Sequence, residues 1–303
     1  MYADLGMDRD SQRILIAGCG YVGAELGRRL AGAGHHVWGL ARRPAGLPSG
    51  VQPWPADLTD PATLGDLPPG LDAVVYCAAA DGFDEAAYRS AYKEGPRHLL
   101  AALERQKQRP ARIVFTSSTG VYGQTGGDWV DEDSPAEADH FSGAIVRQGE
   151  EIFQQGPFPA LVARLGGIYG PGRTRLISRL RRGEAACVEG EVSWTNRIHR
   201  DDAAGALAHL LTLDEAQDLY LVVDREPADD CAVLRWLAER LGLEPPPVLL
   251  AGEGRRQRRS NKRASSERLI ASGYELRYPT FREGYGELID AGAGNDGSDE
   301  TNH

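Results

Sequence analysis

Six residues constrain this chain more than any others: Gly18-Cys19-Gly20-Tyr21-Val22-Gly23, placed directly after the short β-branched run Arg13 to Ala17 (RILIA) and directly before EL and RRL at helical spacing. The segment reads as strand, tight turn and helix. In that setting Gly18 allows the turn, Gly20 lets the backbone approach a pyrophosphate, and Gly23 lets the helix pack close to the strand. The amides at the head of the helix then point at the anion. Gly18, Gly20, Tyr21, Val22 and Gly23 are therefore expected to hold a dinucleotide. The bland alternative is a strand-to-helix turn that happens to be rich in glycine.

The rest of the chain repeats the alternation. His36 to Leu40 (HVWGL), Ala73 to Ala79 (AVVYCAA), Arg112 to Ser117 (RIVFTS) and Ala160 to Leu165 (ALVARL) are further strands, apolar on both faces, with helical stretches over Asp84 to Gln108 and Ser142 to Gln155. Such a pattern predicts an α/β fold, a doubly wound parallel Rossmann sheet covered by helices on both sides. After Gly170 it loosens into PGRTRLISRLRRG and EPPPVLLAGEGRRQRRS, with one more strand pattern at Leu219 to Val223. The expected division is a dinucleotide-binding domain over 11–170, an interleaved C-terminal substrate lobe with returning sheet elements over 171–290, and a disordered tail over 291–303.

Composition excludes other classes. The chain has 303 residues, 41% hydrophobic and 26% charged, and its longest apolar run, Ala73 to Ala80, is far short of a membrane span. A formal charge of −10 argues against broad nucleic-acid affinity. The four cysteines, Cys19, Cys77, Cys187 and Cys231, show no CxxC or other metal spacing, and the N-terminal stretch has no apolar core like that of a signal peptide. A reducing cytoplasm is the expectation, with no metal.

Cofactor choice is read at the end of the second strand, where an acidic residue accepts from the ribose 2′-hydroxyl of NAD. Here the residues are Leu40-Ala41-Arg42-Arg43. Two guanidiniums suit a 2′-phosphate, which predicts NADP over NAD, unless Arg42 and Arg43 merely solvate a loop. Asp57-Leu58 stands where an Asp can accept from an adenine amino group, although Asp57 equally suits a turn.

Taken together, IAGCGYVG, YCAAA, FTSSTGVYG, RLGGIYGPGR, NRIHRDDAAGAL and SNKRASSERLIASGYELRYPTFREGY resemble the extended and atypical short-chain dehydrogenases/reductases, the NAD(P)-dependent epimerase/dehydratase group, from Arg13 to Gly286. That resemblance implies an oxidoreductase or epimerase. It places the hydroxyl that orients the substrate oxygen on Ser118 and lines the cofactor with Ala78, Ala79 and Leu165. The YxxxK pair of the family falls on Gly143 and Arg147, so the phenol is missing and Arg147 is left to hold the nicotinamide ribose without exchanging protons. The family's asparagines fall on Tyr92 and Gly167. His199 is implied to be structural, with Asp201 or Asp202 capping the helix that follows. A homodimer through the helices 84–108 and 142–155 is also implied, though the sheet itself demands apolar faces there.

The basic run Arg255-Arg256-Gln257-Arg258-Arg259 with Lys262-Arg263 suggests a clamp for phosphate or carboxylate, faced by Arg173 and Arg175, or else a solvated loop. The leading expectation is an enzyme acting on a small, anionic, hydroxylated or carbonyl substrate. The competing one is an NADP(H)-binding sensor or scaffold that has lost the chemistry, and the weakest is an RNA-binding protein. With Tyr92 and His140 unpersuasive as proton donors, turnover is expected to run through Ser118 and ordered water. A phenol restored by Gly143→Tyr is expected to raise the rate where the pocket holds the ring.

Overall fold

A computed structural model describes residues 11–188, 190, 192–250 and 261–292. The basic run 255–259 and the tail from 293 lie outside the described residues.

Seven strands form one parallel sheet: β1 Arg13–Ala17, β2 His36–Ala41, β3 Val51–Pro55, β4 Ala73–Tyr76, β5 Arg112–Ser118, β7 Ala160–Leu165 and β12 Leu219–Val222. They stand in the order β3-β2-β1-β4-β5-β7-β12. The hairpin-free, parallel pairing follows from helices inserted between strands: α1 Tyr21–Gly32, α2 Glu85–Arg89, α3 Gly95–Arg105 (joined to α2 by a π turn, Ser90–Glu94), α4 Phe141–Gln154 and α6 Arg200–Thr212. Period-two alternation sends Ile14 and Ile16 to one face and Leu15 and Ala17 to the other. The first face packs on Leu26, Leu30, Ala203 and Leu207 of α1 and α6. The second packs on Leu99, Leu103 and Phe153 of α3 and α4.

β3 was not anticipated. Its sequence, VQPWP, carries two prolines, yet β3 is the outermost strand, where a residue without an N–H leaves no ladder bond unmade on the outer side. Leu219–Val222 is a member of the main sheet beside β7, so the chain returns to the dinucleotide fold after its excursion.

The excursion builds a smaller layer around Ile177, Leu180, Val233, Leu237, Phe281 and Leu288. It comprises β8 Gly167–Tyr169, α5 Arg175–Arg181, β9 Cys187–Val188, β10 Trp194–Thr195, β11 Arg197–His199, β13 Ala228–Asp229, α7 Asp230–Arg240, β14 Val248–Leu249 and α9 Phe281–Asp290, whereas β15 Lys262–Ala264 and α8 Glu267–Ala271 pack Ala264 and Leu269 on the main sheet. β15 pairs with β6, Asp128–Val130, which follows β5. A disulfide joins Cys187 to Cys231 at the head of α7, a bond that the reducing cytoplasm expected from the sequence does not favour. Forty-four residues separate the two, so no local motif marks the pair.

Candidate active site at the carboxyl edge of the sheet

Strand order reverses between β1 and β4, and such a reversal opens a crevice at the carboxyl ends of parallel strands. Gly18 leaves β1 there with φ of +91°, and a Cβ on it would stand 2.4 Å from the backbone nitrogen of Ala78, just past β4. Both conformation and space refuse any other residue. Gly20 is the opposite case: it is exposed, and nothing lies within 4 Å of where its Cβ would be. Helix α1 begins beside it with no side-chain cap and no acidic residue in its first turn, leaving the positive end of its dipole to an anion. A cradle of open backbone at an uncapped helix end fits a dinucleotide pyrophosphate.

Around the cradle several groups already have partners. Arg42 donates two hydrogen bonds of 2.7 Å to the Asp81 carboxylate, both side chains being more than half exposed, and Arg43 is exposed beside it. Asp57 accepts from the backbone and hydroxyl of Thr59, at 2.9 and 2.7 Å, so the turn reading of this residue describes its contacts here. Leu58 is buried, and its carbonyl oxygen meets His98 Nδ1 at 2.9 Å. Ala78 is half-buried and Ala79 exposed. The Tyr21 hydroxyl donates to the Pro171 carbonyl at 2.9 Å, while Arg173 lies 4.2 Å over its ring. Arg173 therefore borders the glycine loop; Arg175 is exposed at the start of α5.

Ser118 ends β5 on the same edge. It is exposed, its hydroxyl accepts from the Gly120 amide at 3.0 Å, and its register partner on β7 is Leu165. Arg147 projects from α4, with Nη1 3.5 Å from Glu150 and 3.6 Å from Glu151. That Nη1 is buried and makes no hydrogen bond.

Beneath Ser118 lies a charged floor that the sequence reading missed. Arg164 donates to Glu150 through Nε (2.8 Å) and Nη2 (2.7 Å) and to the Tyr122 hydroxyl through Nη1 (2.7 Å). Ser117 donates to Glu150 at 2.5 Å, and the Tyr122 hydroxyl donates to the Asp131 carbonyl at 2.6 Å. Burial pushes the Tyr122 phenol up to about 12 against the opposing pull of Arg164. The available signal was an arginine inside ALVARL, a strand otherwise apolar on both faces.

The profile of the NAD-dependent epimerase/dehydratase family matches residues 14–222. The chain belongs to that family. Its relatives include the Escherichia coli protein YeeZ, 29% identical over 88% of this chain and 97% of its own, and the 2′-dehydrokanamycin reductase of Streptomyces kanamyceticus, 28% identical over 81% and 71%. A Methylobacillus flagellatus structure described as a NAD-dependent epimerase/dehydratase is 40% identical, covers 93% of this chain and 99% of its own, and superposes with a TM-score of 0.77.

In this epimerase/dehydratase-family protein the expectation of a phenol restored at Gly143 on α4 needs correction. His140, unpersuasive as a proton donor from the sequence, caps α4, its Nδ1 accepting from the Gly143 amide at 3.1 Å. Gly143 has no room for a phenol, since a Cβ there would stand 2.4 Å from Ala138 Cβ and 2.5 Å from the Gly120 carbonyl oxygen. Tyr92 is half-buried, its ring tilted against Tyr88 and edge-on to Phe115, and burial pushes its phenol up to about 12.

The helix after RIH is capped by His199, not by an aspartate. His199 is buried and its Nδ1 accepts from the Asp201 amide at 3.2 Å. Asp202 instead turns inward, accepting from the amides of Arg277 and Tyr278 at 2.8 Å each, and so ties α6 to the segment before α9.

Proposed function

We propose that this protein is an NADP-linked oxidoreductase or epimerase acting on a small, anionic, hydroxylated or carbonyl compound. The observation that carries the reading is the sharing of one sheet edge by the open cradle at Gly20 and the exposed hydroxyl of Ser118. In this reading Gly18, Gly20, Tyr21, Val22 and Gly23 hold the pyrophosphate. Arg42 and Arg43 take the 2′-phosphate, Arg42 exchanging the exposed Asp81 carboxylate for phosphate oxygens that suit the same planar fork. Asp57 and Leu58 border the adenine, Ala78, Ala79 and Leu165 line the path between the strands, and Arg147 meets the nicotinamide ribose. When bound, the nicotinamide supplies or accepts the hydride.

Ser118 then holds the substrate oxygen by a hydrogen bond, a task suited to a small neutral donor. The kinship with the 2′-dehydrokanamycin reductase supports reduction of a carbonyl as the direction to assay first.

The test is cofactor titration by fluorescence, followed by a carbonyl panel. NADPH is expected to bind at least about tenfold tighter than NADH, one charge-assisted contact contributing about 1.5 to 3 kcal/mol. Replacing Arg42 and Arg43 together by Ala should erase the preference, and Ser118→Ala should abolish NADPH oxidation while leaving binding intact. Equal affinity for the two cofactors overturns the choice of NADP, and tight binding without turnover on any carbonyl overturns the enzyme in favour of a sensor.

A further inference from the structure

Phe83 is 56% exposed, an aromatic ring in water on the loop that leaves β4, two residues past Asp81. Its position is nonetheless fixed. The ring meets Tyr88 of α2 edge-on, at 5.7 Å between centroids and 84° between planes, and leans on Phe141, the first residue of α4, at 5.4 Å and 56°. Tyr88 and Phe141 close the triangle edge-on at 5.5 Å. Three rings from three segments thus hold one exposed face in place, in geometries that aromatic pairs favour. The group adjoins the turn that carries Ser118. Tyr88 packs against the core group that holds Val121, the last residue of the 3-10 turn Thr119–Val121, and Ser118 caps that turn. Helix α4 packs on the same turn: the Gly120 carbonyl oxygen stands 2.5 Å from the Cβ site of Gly143, two residues past Phe141, and the Gly120 amide donates to Ser118 Oγ at 3.0 Å. Phe83 therefore rides on the loop that begins at Ala78 and Ala79 and is braced by the two helices that enclose the Ser118 turn.

We propose that Phe83 is a specificity-determining residue: with Tyr88 and Phe141 behind it, it forms the platform on which the ring of a cyclic substrate stacks while Ser118 holds the substrate oxygen. The inference rests on the oxidoreductase reading above and adds the shape of the substrate. An exposed phenyl face is apolar surface held in water, and covering it is favourable in proportion to the area covered. A rigid ring covers it flat with little loss of freedom, whereas an open chain of similar size gives up several rotors to lie on it. The platform therefore selects a cyclic ketone over its open-chain counterpart. The charged groups nearby do not oppose this, since Glu85 is paired with Arg89 at 2.5 Å and Asp84 accepts from the Ala87 amide at 2.9 Å. A second copy of the chain is the poorer occupant. Asp81, Asp84, Glu85 and Arg89, all exposed, frame a single exposed ring, whereas a stable interface needs roughly 800 Å² on each side with a centre poor in charge.

The experiment uses the full chain with its six phenylalanines replaced by fluorophenylalanine, followed by 19F NMR. The probes are 4-oxocyclohexanecarboxylate and the open-chain keto acid levulinate, which share one ketone and one carboxylate and differ in the ring. With NADP present, so that the ketone is held without being reduced, the cyclic acid is expected to move the Phe83 signal, identified by its loss in Phe83→Leu, and levulinate to move it much less. In turnover with NADPH the wild type should prefer the cyclic acid in kcat/KM. Phe83→Ala should lower that preference at least about tenfold, one stacked ring contact being of that order, and Phe83→Trp should keep it. A preference unchanged in Phe83→Ala overturns the proposal, as does a Phe83 signal that the cyclic acid leaves unmoved. Sedimentation supplies a separate arm: a dimer that Phe83→Ala turns into a monomer, with the ring preference intact, assigns the face to a second copy instead. Failure of the wild type to bind NADPH overturns the underlying oxidoreductase reading. Where NADPH binds without turnover on any carbonyl, the 19F shift decides the proposal by itself.

Discussion

The guanidinium of Arg164 closes on the carboxylate of Glu150 through two hydrogen bonds of 2.8 and 2.7 Å, directly under the strand end that carries Ser118. Glu150 is fully buried and Arg164 is 4% exposed, so neither charge has recourse to water. Removing one partner strands the other: Arg164→Met leaves a buried carboxylate with Ser117 and, at 3.5 Å, Arg147 Nη1 as its polar neighbours. A loss of about 3 to 5 kcal/mol is expected by urea denaturation, and the paired change Glu150→Leu with Arg164→Met should recover part of it. A single variant costing less than about 1 kcal/mol would show that the floor is not what holds β5 and β7 against α4.

Gly143→Tyr is expected to fail as a repair. The obstruction at this position is the Gly120 carbonyl oxygen, 2.5 Å from the Cβ site, and backbone cannot swing aside as a side chain can. Even Gly143→Ala should cost about 1 to 3 kcal/mol through overpacking, and the tyrosine variant should lower both Tm and any turnover. A tyrosine variant as stable as wild type and faster on the native substrate would mean that α4 shifts freely away from the turn at Gly120.

Much of this was legible along the chain, and the reason is local periodicity. Arg13–Ala17, His36–Ala41 and Ala160–Leu165 announce themselves because a strand buried on both faces must be apolar throughout, and Gly18 and Gly20 because a turn and a close approach each need a residue without a side chain. What escaped depends on partners remote in sequence. Val51–Pro55 reads as a loop until its place at the sheet edge excuses two prolines. Arg42 reads as a free phosphate ligand until Asp81, 39 residues on, is found in its fork. His199 caps a helix that the aspartates after it seemed to own, because Asp202 is drawn off by amides more than 70 residues away. Lys262 sat at the end of a basic run and was read as part of a surface clamp; its burial follows only from the pairing of β15 with β6.

The Asp224 carboxyl gives the fold a pH dependence with a definite sign. It is 1% exposed, just after β12, and its Oδ1 accepts from the Glu226 amide at 3.2 Å while Oδ2 finds no hydrogen-bond partner. Burial raises it from 3.8 to about 8 against the pull of Arg197. Between roughly pH 4 and 8 the native state therefore binds more protons at this group than the unfolded chain does, so its contribution to stability falls as pH rises through that window. The slope has an upper limit of about 1.4 kcal/mol per pH unit. Lys262, whose amine is lowered, acts in the opposite sense only above about 8, where the unfolded chain holds the extra proton. Thermal unfolding between pH 5 and 8 should accordingly show a wild-type Tm that declines and an Asp224→Asn Tm that stays flatter, the variant gaining on the wild type toward pH 8. Parallel curves across that range would mean that Asp224 is ionised in the native state and that the buried Arg197 neutralises it.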